Sequence, residues 1–140
     1  MYKVMWLLKR KDGISHEQFR AHYENSHARM AQKYFGDLLV EYKRNYKTET
    51  WGGGVPTEPG GGTFGPCDWQ YDCIAEWVMP DEAAFEKINA IFADPVIGKE
   101  FHDDEENFLD RAAVMLVKCA AYDTGTGDGQ ARLAMEAASS

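Results

Sequence analysis

The chain predicts an α+β domain whose elements run β-α-β-β-α-β. Three observations carry that reading. Short stretches rich in β-branched and aromatic residues alternate with turn residues, two longer stretches place apolar residues at three- and four-residue spacing, and Gly, Pro or Asp marks most of the boundaries.

Residues 2–10 read as the first strand, on aromatic and β-branched content with a short alternation. Asp12-Gly13 supplies a turn, and Ser15 followed three residues later by Gln18 makes a capping box that opens a helix. That helix is expected to run to Tyr34 or Phe35, with Gly36 as its stop. Its apolar stripe is Phe19, Tyr23, Ser26, Met30 and Tyr34. Residues 38–50 read as a long second strand.

Residues 51–68 then hold seven glycines and three prolines, too long a break for an ordinary hairpin. Such a loop inside a compact domain is a lid or is disordered, and the aromatics Trp51, Phe64 and Trp69 around it favour a lid. Tyr71 to Met79 is the third strand. Pro80-Asp81 starts a helix with Phe85, Ile88, Ile91 and Phe92 on its apolar side, and Asp94-Pro95 breaks it. Residues 96–109 contain a second helical piece carrying Phe101 and Phe108, and 113–122 form the last strand. The domain is therefore expected to span 1–122. Residues 123–140 form a mobile tail or a dimer arm, in which 130–138 could be a short helix.

This order is the ferredoxin-like one, a four-stranded antiparallel sheet with its helices on one face. Trp6-Leu7-Leu8 and Val114 to Val117 leave neither side of their strands polar. A sheet apolar on both sides needs two covers, and the chain has elements for one. A homodimer through the bare sheet face follows.

The net charge of −8 argues against nucleic acid, which requires clustered Lys and Arg. Lys9-Arg10-Lys11 and Lys43-Arg44 read as solvated strand ends. No run approaches the ~18 apolar residues of a membrane span. The first residues begin like a strand and lack a signal-peptide cleavage site, so no membrane contact and a cytoplasmic setting are expected. Cys67, Cys73 and Cys119 form no CxxC and are expected as reduced thiols. Seven Tyr, seven Phe and four Trp suit either an aromatic core or a cavity that receives a ring-bearing ligand.

His22 and His27 carry the strongest chemical signal, because imidazole titrates near neutral pH and both flank the stripe of one helix. Stepping about 100° per residue from Phe19 places His27 roughly 80° to one side and His22 roughly 60° to the other. About 140° apart on a regular helix, the two rings cannot share one metal, which needs i, i+4 spacing. His102 lies in an acidic run, Asp103 to Glu106, read as a solvated helix start, and His16 is expected exposed.

The strand Val4-Met5-Trp6-Leu7-Leu8-Lys9-Arg10, then Gly13, then Phe19-x3-Tyr23-x3-His27-Ala28, resembles the EthD family of dimeric α/β-barrel proteins. So does the later half, Phe92-x-Asp94 followed by Asp104-Glu105-x2-Phe108-Leu109-Asp110. The resemblance spans roughly 2–122. It implies a ferredoxin-like domain, a cavity between helices and sheet, and pairing of the bare sheet with a second copy. It also implies a site histidine at His27 first and His22 next, with Tyr23 beside it. Fold travels along such a resemblance more safely than reaction does.

The function expected is a cofactor-independent lyase or cyclase acting on a small aromatic or polyketide-like compound. His27 or His22 would move the proton with help from a hydroxyl of Tyr23, Tyr46 or Tyr71, and Asp104 or Glu105 would orient the imidazole. Trp6, Tyr46, Trp51, Phe64, Tyr71, Phe92 and Asp104 are the expected substrate contacts, with no cofactor and no metal. The alternatives are a cofactor-free monooxygenase or haem-handling protein, and a non-catalytic accessory protein that binds a hydrophobic compound.

Overall fold

A computed structural model describes residues 1–53, 64–123 and 135–136. The centre of the expected lid and most of the expected tail lie outside the described residues. Strand β1 (Tyr2–Leu8) leads through a turn at Gly13, whose φ of 89° suits glycine, into helix α1 (His16–His22). The capping box forms, Ser15 Oγ accepting from Gln18 N–H and Gln18 Oε1 from Ser15 N–H. The helix continues through a π turn (Tyr23–His27) into α2 (Ala28–Phe35), followed by a 3₁₀ turn (Gly36–Leu38) and β2 (Glu41–Tyr46). A short hairpin, β3 (Trp51–Gly53) and β4 (Phe64–Pro66), precedes β5 (Cys73–Met79).

Helix α3 (Glu82–Ala93) is capped by Asp81. Asp94 both ends it and caps α4 (Pro95–Glu105), with Pro95 in the first turn, where its missing N–H costs nothing. Gly98 permits the tight corner, since a Cβ there would lie 2.3 Å from the Phe92 carbonyl oxygen. Strand β6 (Met115–Cys119) completes the sheet, and β7 (Tyr122–Asp123) pairs with β8 (Met135–Glu136). Met135–Glu136, expected in a short helix, is thus extended and paired. No helix among the described residues is long and apolar enough to cross a membrane.

The sheet order is β2-β5-β1-β6, antiparallel throughout, so β1 and β5 are central. Val4, Ala75, Trp77 and Met79 face the helices and are buried. Two core clusters lie between helices and sheet, one around Phe35, Ile88 and Phe101 and the other around Phe19, Tyr23 and Phe108. Trp6 and Tyr42 pack against both.

The opposite face of the sheet has no cover among the described residues. Met5, Leu7, Ile74 and Val78 are only partly buried there, and Met115 and Val117 are exposed. Lys3 and Glu76 form an ion pair among them at 3.3 Å.

Candidate functional site

The π turn decides where the histidines go. Ala28 N–H bonds the carbonyl of Tyr23, five residues back, which inserts one residue into the helical repeat. The stripe expected at Met30 and Tyr34 moves on by one, so Ala31 and Phe35 are the buried residues and Met30 and Tyr34 pack at the edge. The same extra residue brings His22 and His27 to one side. The expected separation of about 140°, drawn from a regular helix, does not hold, and both rings reach the same carboxylate.

That carboxylate is Asp104, near the end of α4 and 11% exposed. His22 Nε2 lies 2.9 Å from Oδ1, Ser26 Oγ donates to Oδ1 at 2.6 Å, and His27 Nδ1 lies 3.0 Å from Oδ2. Burial alone would raise the Asp104 carboxyl, but the hydrogen bonds from His27, Ser26 and His22 outweigh it and hold the pKa down at about 2. An ionised carboxylate only accepts, so His22 Nε2 and His27 Nδ1 must both carry hydrogen. His27 Nε2 has no hydrogen-bond partner among the described residues.

His27 lines a cavity of about 440 Å³ between helices and sheet, within the range of small-molecule sites. Trp6, Phe35, Trp77, Phe92, Phe101 and Phe108 make its apolar wall. Phe108 packs under the histidines, its ring centroid 4.9 Å from that of His22 and 5.1 Å from that of His27. Tyr23 and Tyr42 also line it, their hydroxyls 2.7 Å apart. Burial pushes both phenols well above their ordinary pKa, so they stay protonated and serve as hydrogen-bond donors. Asn89, Glu105, His102 and Arg111 supply the remaining polar lining, and burial raises the Glu105 carboxyl despite the opposing charges of His27, Arg111 and His102.

Of the residues expected from the sequence, Trp6, Tyr23, His27 and Phe92 meet at this cavity. Asp104 stands behind the imidazole and orients it, and His22 helps hold Asp104 without lining the cavity. Tyr46 is drawn elsewhere. Its hydroxyl donates to Glu24, which also takes two hydrogen bonds from Arg44, so Arg44 is half-buried over the Tyr42 ring rather than a solvated strand end. Tyr71 is buried against Trp69, and Trp51 and Phe64 lie exposed on the β3–β4 hairpin. None of the four lines the cavity. His16, expected exposed, is half-buried with Nδ1 3.0 Å from Asp72, a buried carboxylate that also accepts from Arg10 N–H.

Sequence reasoning missed Trp77, Tyr42 and Arg111 as cavity residues. The period-two alternation of β5 and β2 carries the signal for the first two, since Trp77 and Tyr42 fall on the helix side of adjacent strands. Nothing in the sequence marks Arg111. Among the described residues, no group of three or more His, Cys, Asp or Glu is arranged to hold a metal ion.

Residues 11–112 match the EthD domain. The fold is similar to that of an ethyl tert-butyl ether D (EthD) family protein of Bacillus halodurans, with a TM-score of 0.52, 19% identity, and 86% of this chain and 98% of that one covered. A protein of Arabidopsis thaliana is alike to the same degree, at TM-score 0.52 and 19% identity over 88% of this chain and 97% of that one. No curated protein matches the sequence. With the family domain covering most of its length, including both histidines and the carboxylate they share, the chain belongs to the EthD family.

Proposed function

We propose that this protein is a cofactor-independent lyase or cyclase that moves a proton on a small aromatic or polyketide-like compound, with His27 as general base and acid. One observation carries the reading. His27 is fixed through Nδ1 by a largely buried, ionised carboxylate, while its Nε2 has no partner among the described residues and its ring lines an aromatic cavity. A carboxylate on Nδ1–H selects the tautomer with a bare Nε2 and stabilises the imidazolium formed when that nitrogen takes a proton. Asp104, His22 and Ser26 are positioning residues. Tyr23 and Tyr42, both protonated, offer a hydroxyl to an oxygen of the substrate. A cytoplasmic setting fits the three free cysteines.

Proton exchange tests this without knowledge of the natural substrate. The α-protons of 2-tetralone, a fused-ring ketone, are followed by NMR in D₂O. The wild type is expected to accelerate their exchange, and His27→Ala to lower that rate by about 10²–10⁴-fold while still binding the ketone. Equal rates, or no acceleration by the wild type, would reduce the protein to a carrier of hydrophobic compounds.

The bare sheet face supports a homodimer, since six apolar side chains on β1, β5 and β6 are left without cover among the described residues. Val117→Asp, at the centre of β6 on that face, is expected to convert a dimer into a monomer of 15.8 kDa in sedimentation equilibrium. A wild type that is already monomeric at micromolar concentration contradicts the dimer.

A further inference from the structure

Glu105 closes α4 and lines the same cavity as His27. Its side chain is only 21% exposed, yet its carboxyl takes no hydrogen bond from any described residue. The oxygens are nevertheless open. Among the described residues, the indole nitrogens of Trp6 and Trp77 are the only polar side-chain atoms of covered residues that are both closed off and unpartnered, so the Glu105 oxygens keep accessible surface. Arg111, the ion-pair partner of Glu105, holds its Nε 3.8 Å from Oε2, too far for a hydrogen bond, and is itself 46% exposed.

Asp104, one residue earlier, makes the contrast. Burial raises both carboxyls, but the donors His27, Ser26 and His22 reverse its effect on Asp104 and hold that group down at about 2, whereas Glu105 has no such donor and stays raised. His27 opposes the rise at Glu105 more strongly than Arg111 or His102 does, and the charge of Asp104 adds to it. An apolar ligand in the cavity would strip more water from Glu105 and raise it further. Neighbouring carboxyls driven apart in this way take different roles, one staying ionised and the other carrying a proton. Asp104 orients His27, which leaves Glu105 for the acid.

Two proton-carrying groups on one cavity suit an elimination, in which a base takes hydrogen from carbon while an acid releases an oxygen leaving group. We propose that Glu105 is a second catalytic residue of this cavity, the acid that delivers a proton to a leaving hydroxyl, and that the substrate is an aromatic β-hydroxy ketone. The step rests on the reading of His27 given above. His27 Nε2 takes a proton from the carbon between the carbonyl and the carbinol. The electron pair of the broken C–H bond becomes the new C=C bond, the C–O bond of the carbinol breaks, and its oxygen leaves as water with the proton of Glu105. The substrate has then lost one water. Passage of the proton from the imidazolium to the Glu105 carboxylate restores both groups.

One compound, 4-hydroxy-4-phenylbutan-2-one, reads the two roles separately. Exchange of its C3 protons in D₂O, followed by NMR, needs only the base. Loss of water to 4-phenylbut-3-en-2-one, followed by the absorbance of the conjugated ketone, needs the base and the acid. The wild type is expected to accelerate both, and Glu105→Gln to lower dehydration by about 10²-fold or more while exchange stays within about threefold. Glu105→Asp, which keeps a carboxyl on a shorter stem, is expected to retain part of the dehydration. Dehydration unaffected in Glu105→Gln, or exchange and dehydration falling together in both variants, would overturn the proposal. A wild type that accelerates exchange and not dehydration overturns this proposal alone, and one that accelerates neither overturns the reading of His27 with it.

Discussion

Asp104→Ala is expected to destabilise the fold by about 2–4 kcal/mol, read as a lower midpoint in urea unfolding. Asp104 takes hydrogen bonds from three side chains, so its removal leaves His22, Ser26 and His27 without their shared acceptor at a site only 16–28% exposed at the two histidines. It also frees the ring on which the proposed chemistry depends. Asp104→Asn keeps the volume and removes the charge, so its loss is smaller, but the amide no longer imposes hydrogen on both imidazole nitrogens. The effect carries a pH signature. The carboxyl is lowered to about 2 in the fold against an ordinary value near ~3.9. The stabilisation is therefore complete above about pH 4 and is lost as pH falls toward 2. Wild type and Asp104→Asn should differ most above pH 4 and converge in that acid window. A constant difference across it would show that the charge of Asp104 is not what stabilises the site.

Phe108→Ala should cost about 3–5 kcal/mol, the usual range for removing a fully buried aromatic ring. Phe108 is completely buried and packs against Phe19, Tyr23, His22 and His27, so it joins the core to the histidine pair. Its loss enlarges the cavity beneath His27 and loosens the ring that Asp104 orients. Phe64→Ala, at a residue 71% exposed on the hairpin, is the control and should stay within about 0.5 kcal/mol. Similar melting temperatures for the two variants would contradict the packing described for the site.

The elements that local rules govern were legible in the sequence. The Ser15–Gln18 box, the Asp94-Pro95 break and the strand alternation each follow from a hydrogen bond or a steric fact that a few neighbouring residues determine. The bare sheet face was legible too, because apolar residues stand at outward positions on β1, β5 and β6. The π turn was not. Nothing in Tyr23-Glu24-Asn25-Ser26-His27 announces an extra residue in the repeat. The gain that offsets it comes from Asp104, at least 77 residues further along, accepting from His22, Ser26 and His27 together. A regular helix drawn through those positions therefore mispointed one histidine and shifted the stripe by one. Asp104 was expected from the sequence, with Glu105 as the alternative, to orient the imidazole, although it stands in an acidic run that otherwise reads as solvent-facing, and Asp103 beside it is solvent-facing. Arg44 was misread for a related reason, since its partner Glu24 belongs to the π turn.

The most direct test of the account is the tautomer of His27, read from side-chain ¹⁵N shifts in a long-range ¹H–¹⁵N correlation at a pH where the ring is neutral. With Asp104 ionised and accepting, His27 must carry hydrogen on Nδ1 and present a bare Nε2 to the cavity. His22, bonded through Nε2, must show the opposite tautomer. Both assignments together are the predicted result. Hydrogen on His27 Nε2 with a bare Nδ1 would mean that the carboxylate does not hold this ring, and the proton-transfer role would fall with it.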